Sequence, residues 1–443
     1  MREVTIGTGA GFAGSRIEHA LDLLHGVRLD YLVFETLGER TVAAAQLARF
    51  EDPRTGYNPK LRARMLAVLP EAMRRGVRIV TNMGGANPRA AAAVILDVAR
   101  ELGIRQPKVA VVLGDDVREA MLTRDAPVDP PGAPVSALGG DLVAANAYIG
   151  AAPIVEALAA GADVVIGGRI ADPSLFVGCL AYEFGWPLDD PDVIGRATAI
   201  GHLLECSSQV TGGYLADPGV VEVPGLDRVG FPYAVVSPDA SAVIGKPEGT
   251  GGTVSIDTCR LQLLYEVGDP AAYLTPDVTA DFRGVRFQQD GPDRVRVTGG
   301  TGRTAPEQLK VTVGYLEGWN VEAEISYGGP GCLERARLAR DVLRARIDRD
   351  GLGPRGVQFD FIGWDSLFGP PPRETPEPPE VRLRVSAWCD TQESAREIGA
   401  EVEALYAAGP AGGGGVRSAV TRRLVVGDGY LPRADVPVEV TLA

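Results

Sequence analysis

Short blocks of consecutive apolar residues recur through the first half of the chain, each closed by a glycine, an asparagine or an acid and flanked by alanine-rich amphipathic stretches. Val4–Ile6 opens into GTGAGFAGSR and the helical EHALDLL, and Tyr31–Phe34 ends at Glu35. Val77–Thr81 breaks at Asn82, Val109–Leu113 ends in Gly114-Asp115-Asp116, and Val164–Ile166 runs into GGRIADPSL. Strand blocks alternating with helical stretches predict an α/β fold, a parallel sheet flanked by helices. The run VRIVTNMGGANPRAAAAV (77–94) reads as strand, tight loop and helix, with Asn87 as the cap and Pro88 in the first turn. Such a junction aims bare backbone N–H groups into a crevice at the carboxyl end of a strand, or is a capped turn that binds nothing.

Near Asp217 the texture changes. LADPGVVEVPGLDRVGFP is rich in proline and glycine and reads as a connection between domains, and hairpin-like pieces follow it. Two late helical stretches, ERARLARDVLRARI and QESAREIGAEVEALYAAG, are separated by strand-like segments. The chain is therefore divided into an α/β ligand-binding domain at 1–228 and an α+β domain at 229–443. The stretch PPPRETPEPPE reads as a solvated polyproline-type loop.

A length of 443 residues favours two domains, and 45% apolar with 23% charged residues is the composition of a globular protein. The formal net charge of −14 leaves no basic surplus for nucleic acid or an acidic membrane. Five scattered cysteines, none in a CxxC pair, suit a reducing compartment better than a disulfide framework or zinc ribbon. The N-terminus lacks the apolar core of a signal peptide, and no apolar run is long enough to cross a bilayer. The expectation is a cytoplasmic protein, and a homo-oligomer.

Several stretches together resemble the AtuA family, named for acyclic terpene utilisation. They are IGTGAGFAGSR (6–16), LDYLVFETLGERT (29–41), TGYNPKL (55–61), IVTNMGGANP (79–88) and ADVVIGGRIADPSL (162–175). HLLECSSQVTGGYLADPG (202–219), KPEGTGGTVS (246–255), DPAAYLTPDV (269–278) and GPAGGGGVR (409–417) continue them. The resemblance implies catabolism of branched acyl compounds carried as coenzyme A thioesters. Longer relatives carry a small ferredoxin-like domain after this region or work beside a separate small partner. The chain is read as the main domain without it, so either a small ferredoxin-like partner supplies that part or this member does without it. Ser15 departs from the family pattern, which has an acidic residue there.

Gly9, Gly11 and Gly14 match GxGxxG after a strand, with Glu35 about 20 residues on, which is the dinucleotide fingerprint read literally. The resemblance implies that the first glycine is not fixed, so an anionic ligand or a structural turn is preferred to a nicotinamide cofactor. His202 and Glu205 stand at i and i+3, on one helix face, as a minimal acid–base pair or a core histidine with its partner. Gln209, Thr211 and Gly212 follow as polar donors beside a loop. Lys246 and Thr250 flank a glycine-rich turn that lacks P-loop order. Arg169 suits a carboxylate clamp, with Asp172 as binder or ion-pair partner. Asp115 and Asp116 fit Mg²⁺ ligation or a helix cap. There is no GxSxG or HExxH, and no metal site is predicted.

The preferred expectation is a lyase or hydratase acting on an anionic, carboxylated or thioester-linked acyl substrate. His202 with Glu205 moves the proton, and Asn82 and Arg169 stabilise the oxyanion or carboxylate. Gly9, Gly11, Gly14, Glu35, Gly84, Gly85, Asn87, Asp172, Gln209, Thr211, Gly212, Lys246 and Thr250 bind substrate. No cofactor is predicted beyond coenzyme A as part of the substrate. The alternatives are an NAD(P)-dependent oxidoreductase and a non-catalytic acyl-binding subunit that needs a small partner.

Overall fold

In the computed structural model, which describes residues 2–372 and 375–443, the five apolar blocks are parallel neighbours in one sheet. They are β1 (Val4–Gly11), β2 (Tyr31–Glu35), β3 (Arg78–Thr81), β4 (Val109–Leu113) and β5 (Val164–Ile166). All five residues of β2 are buried, because both faces of the sheet are covered. On one face lie α1 (Glu18–Gly26), α3 (Leu61–Arg75) and α4 (Pro88–Glu101), which follows β3 and the loop after it. Their Leu23, Leu24, Met65, Val68, Ile95 and Val98 pack on Leu32, Phe34 and Ile79. The helix α2 (Glu39–Glu51) precedes α3. The opposite face carries α5 (Ala152–Ala159), α6 (Ser174–Phe184) and α7 (Pro191–Glu205). There Ile154, Phe176 and Leu203 join Ile6, Tyr31, Val33 and Val165 in a second core. Period-two alternation along β2 divides its side chains between the two cores.

The hairpin β6 (Tyr233–Val236) and β7 (Ala242–Gly245) pairs antiparallel beside β1. Beyond it lie β8 (Arg286–Gln289) and β9 (Arg294–Thr298), so the sheet order at this end is β8-β9-β7-β6-β1. The first sheet thus continues across position 229. The Pro/Gly-rich stretch is a surface excursion whose continuation returns to the same sheet, since β1 offers an unpaired edge that β6 fills. One compact unit comprises Met1–Ala137, Val143–Gly314 and Val426–Ala443, and the other Leu138–Leu142 and Tyr315–Val425.

The second unit has the order strand, helix, strand, strand, helix, strand. These are β10 (Gln308–Gly328, which enters it at Tyr315), α8 (Cys332–Arg349), β11 (Gly356–Ile362), β12 (Glu380–Cys389), α9 (Gln392–Ala408) and β13 (Gly414–Pro432). The sheet order β11-β12-β10-β13 gives it the split βαβ, ferredoxin-like arrangement. Val321, Ala323 and Ile325 alternate inward beneath Ala336, Leu343, Ile398 and Val402. On the other sheet face Arg382 meets Glu324 at 3.0 Å and Arg384 meets Asp360 at 2.8 Å. Of the proline-rich stretch 370–380, Arg373 and Glu374 lie outside the described residues. A last strand, β14 (Glu439–Leu442), pairs antiparallel with β4 in the first unit. No helix among the described residues is long and apolar enough to cross a membrane.

Candidate active site

At the carboxyl ends of β1 and β2 the first unit encloses a cavity of about 810 Å³. Its walls are the 11–16 loop, Glu35 to Thr41, Asp172, and the chain that leaves α7 at Glu205. Two glycines make this closure achievable. A Cβ on Gly11 would fall 2.5 Å from the carbonyl carbon of Cys206, and one on Gly9 would fall 2.5 Å from the Phe34 ring. The Thr8 hydroxyl donates to the Leu204 carbonyl at 3.0 Å and ties β1 to the end of α7. The GxGxxG match is therefore accounted for by close packing, and Gly9, Gly11 and Gly14 all keep negative φ.

Glu35 ends β2 and is buried against the cavity. Its Oε1 accepts the Leu37 amide at 2.7 Å and the Asn82 side-chain amide at 3.1 Å. Burial, and then the neighbouring Asp172 carboxylate, push the Glu35 carboxyl up to about 8 against the pull of Arg169. Asp172 accepts from Arg169 Nη1 at 2.5 Å. Arg169 itself is 1% exposed and stacks on the Tyr148 ring at 4.0 Å, so it stands behind the wall and does not line the cavity. Glu39, on the same wall, accepts from the Tyr148 hydroxyl. Against the upward push of burial, that bond, Arg169 and Lys310 hold its carboxyl down at about 2.

Glu205 is 5% exposed and lines the cavity. Its Oε1 lies 2.7 Å from His202 Nδ1, while Oε2 has no partner among the described residues. Burial, reinforced by Asp172 and Glu266, drives its carboxyl well above the usual range. His202 is 1% exposed and does not line the cavity. It sits 5.0 Å from the Tyr273 ring and 5.6 Å from Phe282, and burial pushes it down to about 4, so it is neutral at pH 7. The expected i, i+3 pair forms, but the carboxyl faces the cavity and the imidazole stands behind it. Cys206 also lines the cavity, and burial pushes its thiol up, away from nucleophilic use.

A family model described as acyclic terpene utilisation family protein AtuA matches residues 4–442. The chain belongs to the AtuA family. No curated protein and no solved structure matches it.

In this AtuA-family chain the remaining candidates divide by what they touch. Gln209 lines the cavity with Gly11, Gly14, Glu35, Asp172 and Glu205. Asn82 lies behind Glu35, its Oδ1 accepting the Thr36 amide at 2.8 Å. Gly84 allows close approach to the Gly167 carbonyl, 2.4 Å from where a Cβ would stand, and Gly85 turns at φ +55. Asn87 caps α4 by accepting the Ala90 amide at 3.3 Å and donates to the Pro53 and Thr55 carbonyls. It borders a separate crevice of about 680 Å³ that also contains Arg49, Arg89 and Asp116.

Thr211 donates to the Gly230 carbonyl at 2.7 Å, and Gly212 supplies a left-handed turn at φ +88. Lys246 meets Asp293 at 3.1 Å and the Thr250 carbonyl at 2.9 Å, while the Thr250 hydroxyl donates to Pro247. These four residues lock loops and lie outside the cavity lining. Asp115 accepts the Arg169 amide at 2.8 Å, and Asp116 accepts the Arg118 amide at 3.4 Å. Among the described residues no group of three His, Cys, Asp or Glu side chains is disposed to hold a metal ion. The sequence reading missed Glu39, Glu266 and the exposed rim residue Phe12. Glu266 sits in an irregular turn at φ +59 that no motif announces.

Proposed function

We propose that this AtuA-family chain is an enzyme of the lyase or hydratase class that acts on an acyl substrate, expected as a thioester. The observation that carries the reading is a pair of buried carboxyls, Glu35 and Glu205, that face one cavity with proton affinities raised by burial. A neutral Glu35 serves as acid. Glu205, backed by His202 Nδ1, serves as base. In the hydration direction Glu205 takes a proton from water as the water oxygen bonds the β carbon of a 2-enoyl group. Glu35 gives its proton to the α carbon, and one water is gained in all. The reverse expels water.

A carboxylate at this floor would meet Glu35, Asp172 and Glu205, so an anionic end of the substrate belongs near Arg16, a cation of the lining. The close packing of Gly9 and Gly11 gives those two glycines a role that needs no nucleotide, which weighs against the oxidoreductase alternative.

The test is incubation of the purified chain with 2-enoyl and 3-hydroxyacyl thioesters, followed by mass spectrometry. Addition or loss of water, reduced about 100-fold or more by Glu35→Gln or Glu205→Gln, supports the reading. Turnover that survives both substitutions contradicts it.

A further inference from the structure

We infer that Asn82 is a positioning residue: it engages Glu35 Oε1 and so leaves Oε2 as the atom that presents a proton to the ligand. The inference rests on the proton-transfer reading of the cavity and names the device that orients its acid. Asn82 directly follows β3, and Phe34 pairs with Thr81 across β2 and β3, so Asn82 falls beside Glu35 at the strand ends. The Asn82 amide is not free to rotate. Its Oδ1 accepts the Thr36 backbone N–H at 2.8 Å, and an inverted amide would set NH2 against that donor. Nδ2 is thereby turned to Glu35 Oε1, where it donates at 3.1 Å beside the Leu37 N–H at 2.7 Å.

An oxygen that accepts two N–H donors is a poor place for a proton. The proton of the neutral acid therefore sits on Oε2, while the side chain borders the cavity. Asn82 touches no ligand itself. Its part is to fix the rotamer of Glu35 and to favour release of the proton, because its N–H bond stabilises the carboxylate left behind.

Infrared titration of the full chain reads the acid directly through the carboxylic C=O band. The expected result is a component of that band, beside the contribution of Glu205, present at pH 7, lost on titration near pH 8 and absent from Glu35→Gln. In Asn82→Asp, which keeps the Thr36 bond and removes the donor, the midpoint moves up by about one pH unit or more. Asn82→Ala removes the donor without adding a charge and moves it the same way. Wild-type titration in either folded variant overturns the positioning role and leaves the proton-transfer reading standing. A wild-type component titrating near pH 8 that Glu35→Gln does not remove overturns both. Should neither variant fold, 15N-asparagine labelling of the wild type gives the answer: one side-chain amide resonance follows the Glu35 titration and is static in Glu35→Gln. No such resonance overturns the inference.

Discussion

At the scale of single residues, burial decides which groups carry chemistry. His202 has the side chain best suited to proton transfer near neutrality, yet an aromatic pocket and 1% exposure keep it neutral and away from the cavity. Glu205 and Glu35, ordinary carboxyls by sequence, acquire that capacity from their surroundings. Glu35 also leaves a mark on stability. Its proton affinity is raised from 4.5 to about 8 in the fold, so the native state binds the extra proton between those values. The contribution is fully present below pH 4.5 and is lost as pH rises through 8. Urea midpoints of the wild type are expected to fall over that window relative to Glu35→Gln, by up to about 1.4 kcal/mol per pH unit. Parallel curves would show that the carboxyl is not protonated in the native chain. His202 works in the opposite sense: its affinity is lowered from 6.5 to about 4, so stability falls as pH drops through that range, and His202→Asn removes that slope. The pairing of His202 with Glu205 was legible from their spacing on a helix. Which of them faces the cavity was not, because that depends on Tyr273 and Phe282, some 70 to 80 positions later in the chain.

Among elements, the β–loop–α junctions set the cavity. All five parallel strands were legible as apolar blocks, since a strand covered on both faces has no polar alternation to hide it. The Asn87 cap and the Pro88 start of α4 were legible for the same local reason. The meaning of GxGxxG was not. Whether a glycine serves a nucleotide or a neighbouring backbone depends on what stands opposite, and Gly11 meets the Cys206 main chain from the far end of α7. Gly11→Ala is therefore expected to cost about 1–3 kcal/mol in urea denaturation, because backbone cannot yield as a side-chain tip can. Gly268→Ala, where no atom lies within 4 Å, is the neutral comparison. Equal stability of the two variants would contradict the packing account of the motif. Asn87→Ala loses the cap and two donations, and is expected to cost about 1–2 kcal/mol without changing the Glu35 titration.

For the molecule as a whole, the division into units escaped local reading because sheet membership is a long-range property. A proline- and glycine-rich stretch looks the same whether it links domains or loops out and returns, and only the pairing of β6 with β1 decides. The alternation of strands and helices in the second unit was visible as an α+β rhythm, but its limits and its ferredoxin-like order were not. The first unit gathers sequence from both ends of the chain, with β14 closing the β4 edge. Truncation after Pro437 is expected to lower stability by about 2–4 kcal/mol through lost ladder bonds, read from the urea midpoint. An unchanged midpoint would show that the strand is not part of the folded sheet. The account as a whole turns on a carboxyl, not the imidazole, meeting the substrate. The most direct measurement is the rate of solvent deuterium incorporation at the α carbon of an acyl thioester, compared between Glu35→Gln and His202→Asn. The prediction is near-complete loss in the first, and a reduced, pH-shifted rate in the second. Loss in His202→Asn with full exchange in Glu35→Gln would contradict it.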